Sequence, residues 1–369
     1  MTVEVDRDAL LGVVRGVASA VQSKNTIPIL SNVHVQVADG IARITGTDLD
    51  VQVRAECEAD GEMLTTMPAD KLAAAVDSLK PGKITIVEGD GRVTVKQGRS
   101  VRTILTISAQ EFPLVPMDEA SVTFAIDAAT LGRLIETTHI AQGDEAARVM
   151  LNGIYFEAAE TRLRAVGLDG LRMVRADVPL PDGAAGMPSM IVPKKAIGLI
   201  RKLILPTGAP VTIEASAGKI ALSAGSSRVI ARLIDSTYPD HERIVPKAPT
   251  QQIKVSRAAL IDAASAVVSV IDGDTKEKVR AVRFDLAQGA EPELSARDSS
   301  GATSVEPLAG DYDGEGIAFA VDARILLSVA GVFRESSVLA LHLTDPTTPF
   351  FITSDAEPDL LGLCGVWRR

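Results

Sequence analysis

Aromatic residues are scarce in this chain of 369 residues: Phe, Trp and Tyr make up 3% of it, with a single tryptophan. The hydrophobic fraction of 46% must then be aliphatic, and the length allows two or three domains that each bury a core. Cysteine is rarer still. Cys57 and Cys364 lie near opposite ends, which excludes a disulfide framework and a cysteine-based zinc site, and suits a reducing compartment. No window approaches about 18 uninterrupted apolar residues, the length a membrane-spanning helix requires. Near the N-terminus Asp6, Arg7 and Asp8 precede LLGVV and Arg15 interrupts the apolar run, the pattern of a folded segment rather than a secretion signal. A cytoplasmic location is expected.

An excess of positive charge is also missing. The formal net charge is −10, which on its face disfavours a nucleic-acid partner, although the distribution of charge matters more than its sum. Motifs of catalysis are absent as well: there is no GxxxxGK[ST] phosphate loop, no HExxH spacing among His34, His139, His241 and His342, and no GxSxG around a serine. Asp48 and Asp50 in GTDLD could hold a magnesium ion, but acidic residues after a strand serve turns and caps more often. No enzyme, metal or cofactor is expected.

What the sequence does contain is repetition. TVEVDRDALLGVVRGVASAVQ (2–22), SVTFAIDAATLGRLIETTHIAQ (121–142) and QQIKVSRAALIDAASAVVSVID (251–272) each read as a strand, a capping residue and an amphipathic helix. Asp6, Asp127 and Ser256 stand at the cap positions. Weaker copies follow at 62–79, 189–204 and 317–333. The strong copies recur after roughly 120 to 130 residues and each weak one follows after about 65, so the chain divides into three similar domains, each a duplicated half. Their expected bounds are 1–120, 121–249 and 250–369. Alternating segments with turn signals, such as ITIVEGDGRVTVKQG, add antiparallel strands without crossover helices, and the class is α+β.

TIPILSN (26–32), GTDLD (46–50), EFPLVP (111–116), LNGIYFE (151–157), LDGLRM (168–173) and YPDHERIVP (238–246) occur in that order, and with them the chain resembles the bacterial DNA sliding clamps, the β subunits of DNA polymerase III. The resemblance implies a head-to-tail homodimer that closes as a ring around duplex DNA without reading its sequence, and no catalytic activity. Twelve repeat helices side by side at about 10 Å each would enclose a hole near 40 Å across, wider than a duplex. It also implies partners, namely polymerase subunits and an ATP-driven clamp loader, that dock short peptides.

By resemblance, DNA contact falls on Lys24, Arg148, Lys194 and Lys195. Charge alone adds Arg7, Arg15, Arg201 and Lys202, and PKKAIGLIRKLI stands out because it holds four cations and no acid. The resemblance places a peptide pocket at Leu151, Leu168, Gly170, Leu171, Arg172, Met173, Pro239, Arg243, Ile244, Leu363, Val366, Trp367 and Arg368. Here the chain departs from the family, with Leu168 and Leu171 where Thr and His are usual and GVWRR in place of a methionine-rich tail, so partner choice is open. Ring closure is expected to involve Arg102, Ile104, Val270 and Ile271, with residues 98–108 of one chain meeting 260–280 of the other. Arg102 replaces a customary aromatic, and Asp272 and Asp274 are possible salt partners for it. Alternatives are a clamp paralogue serving a specialised repair or translesion polymerase, a hydrolase on duplicated repeats, and a monomeric interaction module.

Overall fold

In a computed structural model, described over residues 1–21, 26–271 and 280–367, one unit recurs six times: a short strand that runs directly into a helix. Thr2–Asp6 leads into α1 (Arg7–Ala18), Met63–Pro68 into α2 (Ala69–Asp77) and Val122–Ile126 into α3 (Ala128–Thr138). Met190–Pro193 leads into α4 (Lys194–Leu203), Gln251–Ser256 into α5 (Arg257–Val268) and Ile317–Asp322 into α6 (Ala323–Gly331). The expected caps form: Asp6 accepts from the N–H groups of Asp8 and Ala9, Asp127 from Thr130, and Ser256 from Ala259. Each satisfies donors that the first helical turn leaves without a partner. The apolar stripes Leu10, Val14 and Val17, then Leu131, Leu134 and Ile135, then Leu260, Ala264 and Val268, are buried against sheets.

Between the helices run antiparallel strands. Lys83–Gly89 and Arg92–Gln97 form a hairpin turned at Asp90 and Gly91, whose φ angles of 50° and 71° are those of a tight two-residue turn. The chain builds two compact units, Met1–Gly132 with Pro181–Ile234, and Arg133–Leu180 with Asp235–Arg369. Their composition follows from strand pairing between repeats. Val51–Gly61, from the first repeat, pairs with Ser227–Arg232 of the second in the register Val53↔Val229, and further along with Thr2–Asp6. In the other unit Arg172–Pro179 of the second repeat pairs with Leu360–Cys364 of the third, Val174 opposite Gly362. The middle repeat is thus shared out between the two units.

Helix and sheet meet closely where a side chain is missing. A Cβ on Gly46 would lie 2.8 Å from the side chains of Val17 and Val21, and one on Gly167, the equivalent residue of the next repeat, 2.1 Å from the Thr138 carbonyl oxygen. A second device recurs at the helix starts. Arg7 opens α1 and donates to the carbonyls of Val76 and Asp77 at the end of α2, at 3.0 and 2.5 Å; Arg257 opens α5 and donates to those of Ala330 and Gly331 at the end of α6, at 3.1 and 3.2 Å. A guanidinium at a helix C-terminus satisfies orphan carbonyls and the negative end of the dipole together. The second repeat has Ala128 at this position.

One carboxylate is more deeply committed than any of these. Glu357, almost wholly buried, accepts from Arg133 of α3 at 3.2 Å, from the Arg334 N–H at 2.8 Å and from the Ser337 hydroxyl at 2.8 Å. Removing it leaves the buried Ser337 hydroxyl and the Arg334 N–H without their acceptor, and the partly exposed Arg133 without its partner. Glu357→Ala is expected to destabilise the unit by about 1 to 3 kcal/mol, and Glu357→Gln, which keeps an acceptor, by less. Denaturant melts of the full chain check this; coincident transitions for Glu357→Ala and wild type would rule out the role given to Glu357.

Candidate nucleic-acid and partner-peptide sites

Helix α4 buries Ala196, Ile197, Leu199 and Ile200 and so turns Lys194, Lys195 and Lys202 outward, with Arg201 at the flank. Arg201 and Lys202 in the last turn complement the helix dipole, whereas Lys194 and Lys195 at the first two positions oppose it. Local stability alone would not place two cations there. Lys195 is compensated: its ammonium reaches the Ala20 carbonyl at 2.9 Å and the Asp48 carboxylate. The solvent face of α4 is basic in a chain whose net charge is −10.

The other cations of the sequence reading divide. Arg7 does not fit a DNA contact: its side chain is 13% exposed and spent on α2, with Asp8 and Asp77 as further partners, because its long stem reaches the adjacent helix end. Arg15 is exposed and pairs with Asp77 at 2.9 Å. Arg148 is exposed and bonded to Glu145 at 2.9 and 2.5 Å, which raises its pKa further, and its guanidinium lies against Gly170, where a Cβ would come within 2.4 Å of it. Lys24 lies outside the described residues.

Asp48 belongs to a turn that recurs. Its carboxylate accepts from the N–H groups of Asp50 and Val51 at 3.1 and 2.8 Å, Asp169 from those of Leu171 and Arg172 at 2.9 Å each, and Asp298 from those of Ser300 and Ala302 at 2.9 and 3.0 Å. The first two copies use their second oxygen differently. Asp48 holds Lys195 of the basic helix; Asp169 holds the Arg172 guanidinium at 2.9 Å. Nothing in GTDLD singles out Asp48 as the holder of a cation, because Lys195 is distant in sequence, whereas LDGLR contains the arginine that Asp169 holds.

Arg172 also donates to Ser328 of α6 at 2.5 Å, joining the 168–173 stretch to the third repeat. Met173 sits opposite Leu363, Gly365 N–H donates to the Leu171 carbonyl at 2.7 Å, and Trp367 N–H to the Ala320 carbonyl at 2.6 Å. The tail is therefore laced to the candidate pocket through its backbone. Leu151, Leu168, Met173 and Leu363 are buried, so in this chain they form floor and core. Gly170, Arg243 and Leu171, the last 59% exposed, lie open to solvent; Pro239, Ile244, Val366 and Trp367 are half-buried. Arg368 lies outside the described residues.

The whole chain matches one family in order. Residues 1–116 fit the N-terminal domain of the DNA polymerase III beta subunit, 125–240 its central domain and 242–363 its C-terminal domain. The beta sliding clamp of Caulobacter vibrioides is 31% identical, with 97% of each chain covered. This chain belongs to the DNA polymerase III beta-subunit family. The Escherichia coli K12 beta sliding clamp is 28% identical over 97% of both chains. Among solved structures, a Caulobacter crescentus beta sliding clamp superposes with a TM-score of 0.94 at 31% identity, covering 100% of this chain and 99% of that one. The beta subunit of Pseudomonas aeruginosa does so with 0.93 at 27%, covering both chains fully. Three tandem clamp domains of α+β build follow, and these relatives, each a beta sliding clamp or beta subunit, lend no favour to a specialised paralogue.

Within the clamp fold, Ser100–Leu105 pairs only with Arg92–Gln97, and Thr303–Pro307 only with Glu293–Arg297, so each lies at an end of its sheet among the described residues. Strand alternation turns Ile104 inward, and Ile271 is buried too, so contrary to the expectation from sequence neither presents its side chain to a second chain. Val101, Leu105, Val270 and, on Thr303–Pro307, Val305 are exposed apolar residues here. Arg102 is held by Ser78 at the end of α2, at 2.9 Å, while Asp272 and Asp274 lie outside the described residues.

The charges on α4 and at the start of α1 predict opposite phenotypes. Changing Lys194, Lys195, Arg201 and Lys202 to alanine is expected to weaken duplex binding and to reduce the slope of log K against log salt by up to about 0.9 for each phosphate no longer neutralised, at unchanged sequence preference. Arg7→Ala is expected to lower stability with little change in that slope. Binding titrations across a salt series decide; a quadruple variant with the wild-type slope would remove α4 from the interface.

Proposed function

We propose that the chain is a non-enzymatic processivity factor of the bacterial cytoplasm: two copies close head to tail around duplex DNA and tether polymerase by topology. The whole-length match to the beta-subunit family carries this reading, and the basic face of α4 supports it, since interactions with phosphates hold a duplex without reading its bases. The open edges Ser100–Leu105 and Thr303–Pro307 support ring closure, because exposed apolar edge strands are normally covered by another strand. Val101, Leu105 and Val270 are assigned to that junction. Peptides of polymerase subunits and of an ATP-driven loader are assigned to the surface formed by residues 168–173, 239–244 and 363–367, with Leu171 and the half-buried Pro239, Ile244 and Trp367 as its apolar part and Arg172 and Arg243 as its donors. The three domains are bounded near 120 and 249.

Topological binding has a signature that ordinary affinity lacks. Protein loaded onto nicked circular DNA is expected to stay bound through a high-salt wash and to be released when the circle is linearised. Equal retention on circular and linear DNA would exclude encirclement.

A further inference from the structure

The segment 238–244, which carries three of the candidate pocket residues, is seated in an unusual way. Among the described residues no backbone-to-backbone hydrogen bond ties it to a neighbouring strand. Its side chains hold it instead. Tyr238 stacks on Tyr155 with ring centres 4.6 Å apart and donates its hydroxyl to the Val166 carbonyl at 3.3 Å. Glu242 accepts from Arg164 at 2.8 Å, and His241 Nε2 lies 3.3 Å from Glu157 Oε1. Asp240 caps the short turn His241–Arg243 by accepting from the Arg243 N–H at 3.3 Å. Between the segment and the strands Gly153–Ala159 and Arg162–Leu168 lies a polar cleft of about 420 Å³, lined by these same residues.

His241 is the most deeply placed of the four anchors, at 5% exposure. Glu157 accepts a hydrogen bond from Tyr155 through its other oxygen, at 3.2 Å, so it is oriented to accept one from His241 Nε2–H as well. That leaves Nδ1 bare, and Nδ1 is indeed buried without a partner. Protonation would place a second N–H where no acceptor stands. The charges that face the ring are mixed: Glu157, Asp177, Glu242 and Asp240 on one side of the balance, Arg164 and Arg175 on the other. Arg164 already engages Asp177 through two bonds, at 2.8 and 3.1 Å, besides Glu242. Glu157 Oε1, the oxygen that faces His241, also accepts from Arg164 at 3.4 Å, so a new cation on the ring would share it with the guanidinium.

We propose that His241 is a positioning residue of the partner-peptide pocket: its neutral ring, seated on Glu157, fixes the turn that presents Pro239, Arg243 and Ile244, and protonation of the ring unseats that turn and weakens peptide binding. The inference rests on the pocket assigned above. Burial chiefly lowers the pKa of His241 from its ordinary 6.5, against the pull of Glu157. A group with a depressed folded pKa contributes fully above its free value and loses that contribution as the pH falls toward the folded one. Peptide affinity is therefore expected to be level from pH 8 to about 6.5 and to fall below it, by at most about tenfold per pH unit.

The test uses rhodamine-labelled peptides tiled over the cognate replicative polymerase subunit, titrated with the full-length protein between pH 8 and 5.5. The peptide that binds tightest is carried into His241→Gln, whose amide N–H₂ can still donate to Glu157 but does not titrate, and His241→Ala. Thermal melts at each pH certify that all three proteins are folded. Wild type losing affinity below pH 6.5, His241→Gln matching it at pH 8 without that loss, and His241→Ala weak throughout is the expected result. A level wild-type profile, or the same acid loss in His241→Gln, overturns the positioning role while leaving the pocket intact. Failure of every peptide to bind wild type at any pH refutes the pocket itself, and the proposal with it.

Discussion

Strand pairing between repeats is the constraint on which everything else in this molecule depends. A strand-to-helix unit with about four strands has a sheet edge on either side, and an edge with exposed donors and acceptors must be covered. Val51–Gly61 and Ser227–Arg232 cover one another, as do Arg172–Pro179 and Leu360–Cys364. Register makes these unions specific, because a shift of one residue would turn Val53 and Val229, or Met173 and Leu363, out of the core. Of the strands left at the ends of sheets, Ser100–Leu105 and Thr303–Pro307 are the ones assigned to ring closure.

From this frame the functional surfaces follow by divergence of equivalent parts. The aspartate turn after the strand is built alike in the first two repeats, where Asp48 and Asp169 accept from the N–H groups two and three residues on, whereas Asp298 accepts from those two and four residues on. What differs is the cation that each carboxylate meets. In one repeat it steadies a lysine that opens α4, a position where the helix dipole works against a positive charge; in the next it steadies an arginine beside the tail. Arg7 illustrates the reverse case, a cation that charge alone gives to DNA and that the packing gives to a helix end, the use the third repeat makes of Arg257.

Much of the fold was legible because its signals are local. Periodicity, cap residues at Asp6, Asp127 and Ser256, and the Asp90–Gly91 turn are short-range preferences that tertiary packing reinforced. The candidate sites were legible in part. The four cations of α4 could be read from PKKAIGLIRKLI, whereas the inward turn of Ile104 depends on which face of an edge strand the sheet buries. The hold of Arg172 on Ser328 depends on two segments distant in sequence that only strand pairing brings together.

The amino-acid sequence by itself determined the six strand-to-helix units, the α+β class and the family, since these depend on residue order within a few turns or strands and on landmarks that survive at 31% identity. The tertiary structure alone decided which repeats share a sheet, which cations are spent on helix ends, and what holds the 238–244 segment in place. Those outcomes turn on register and on the reach of side chains between segments far apart in the chain, and no local preference encodes either.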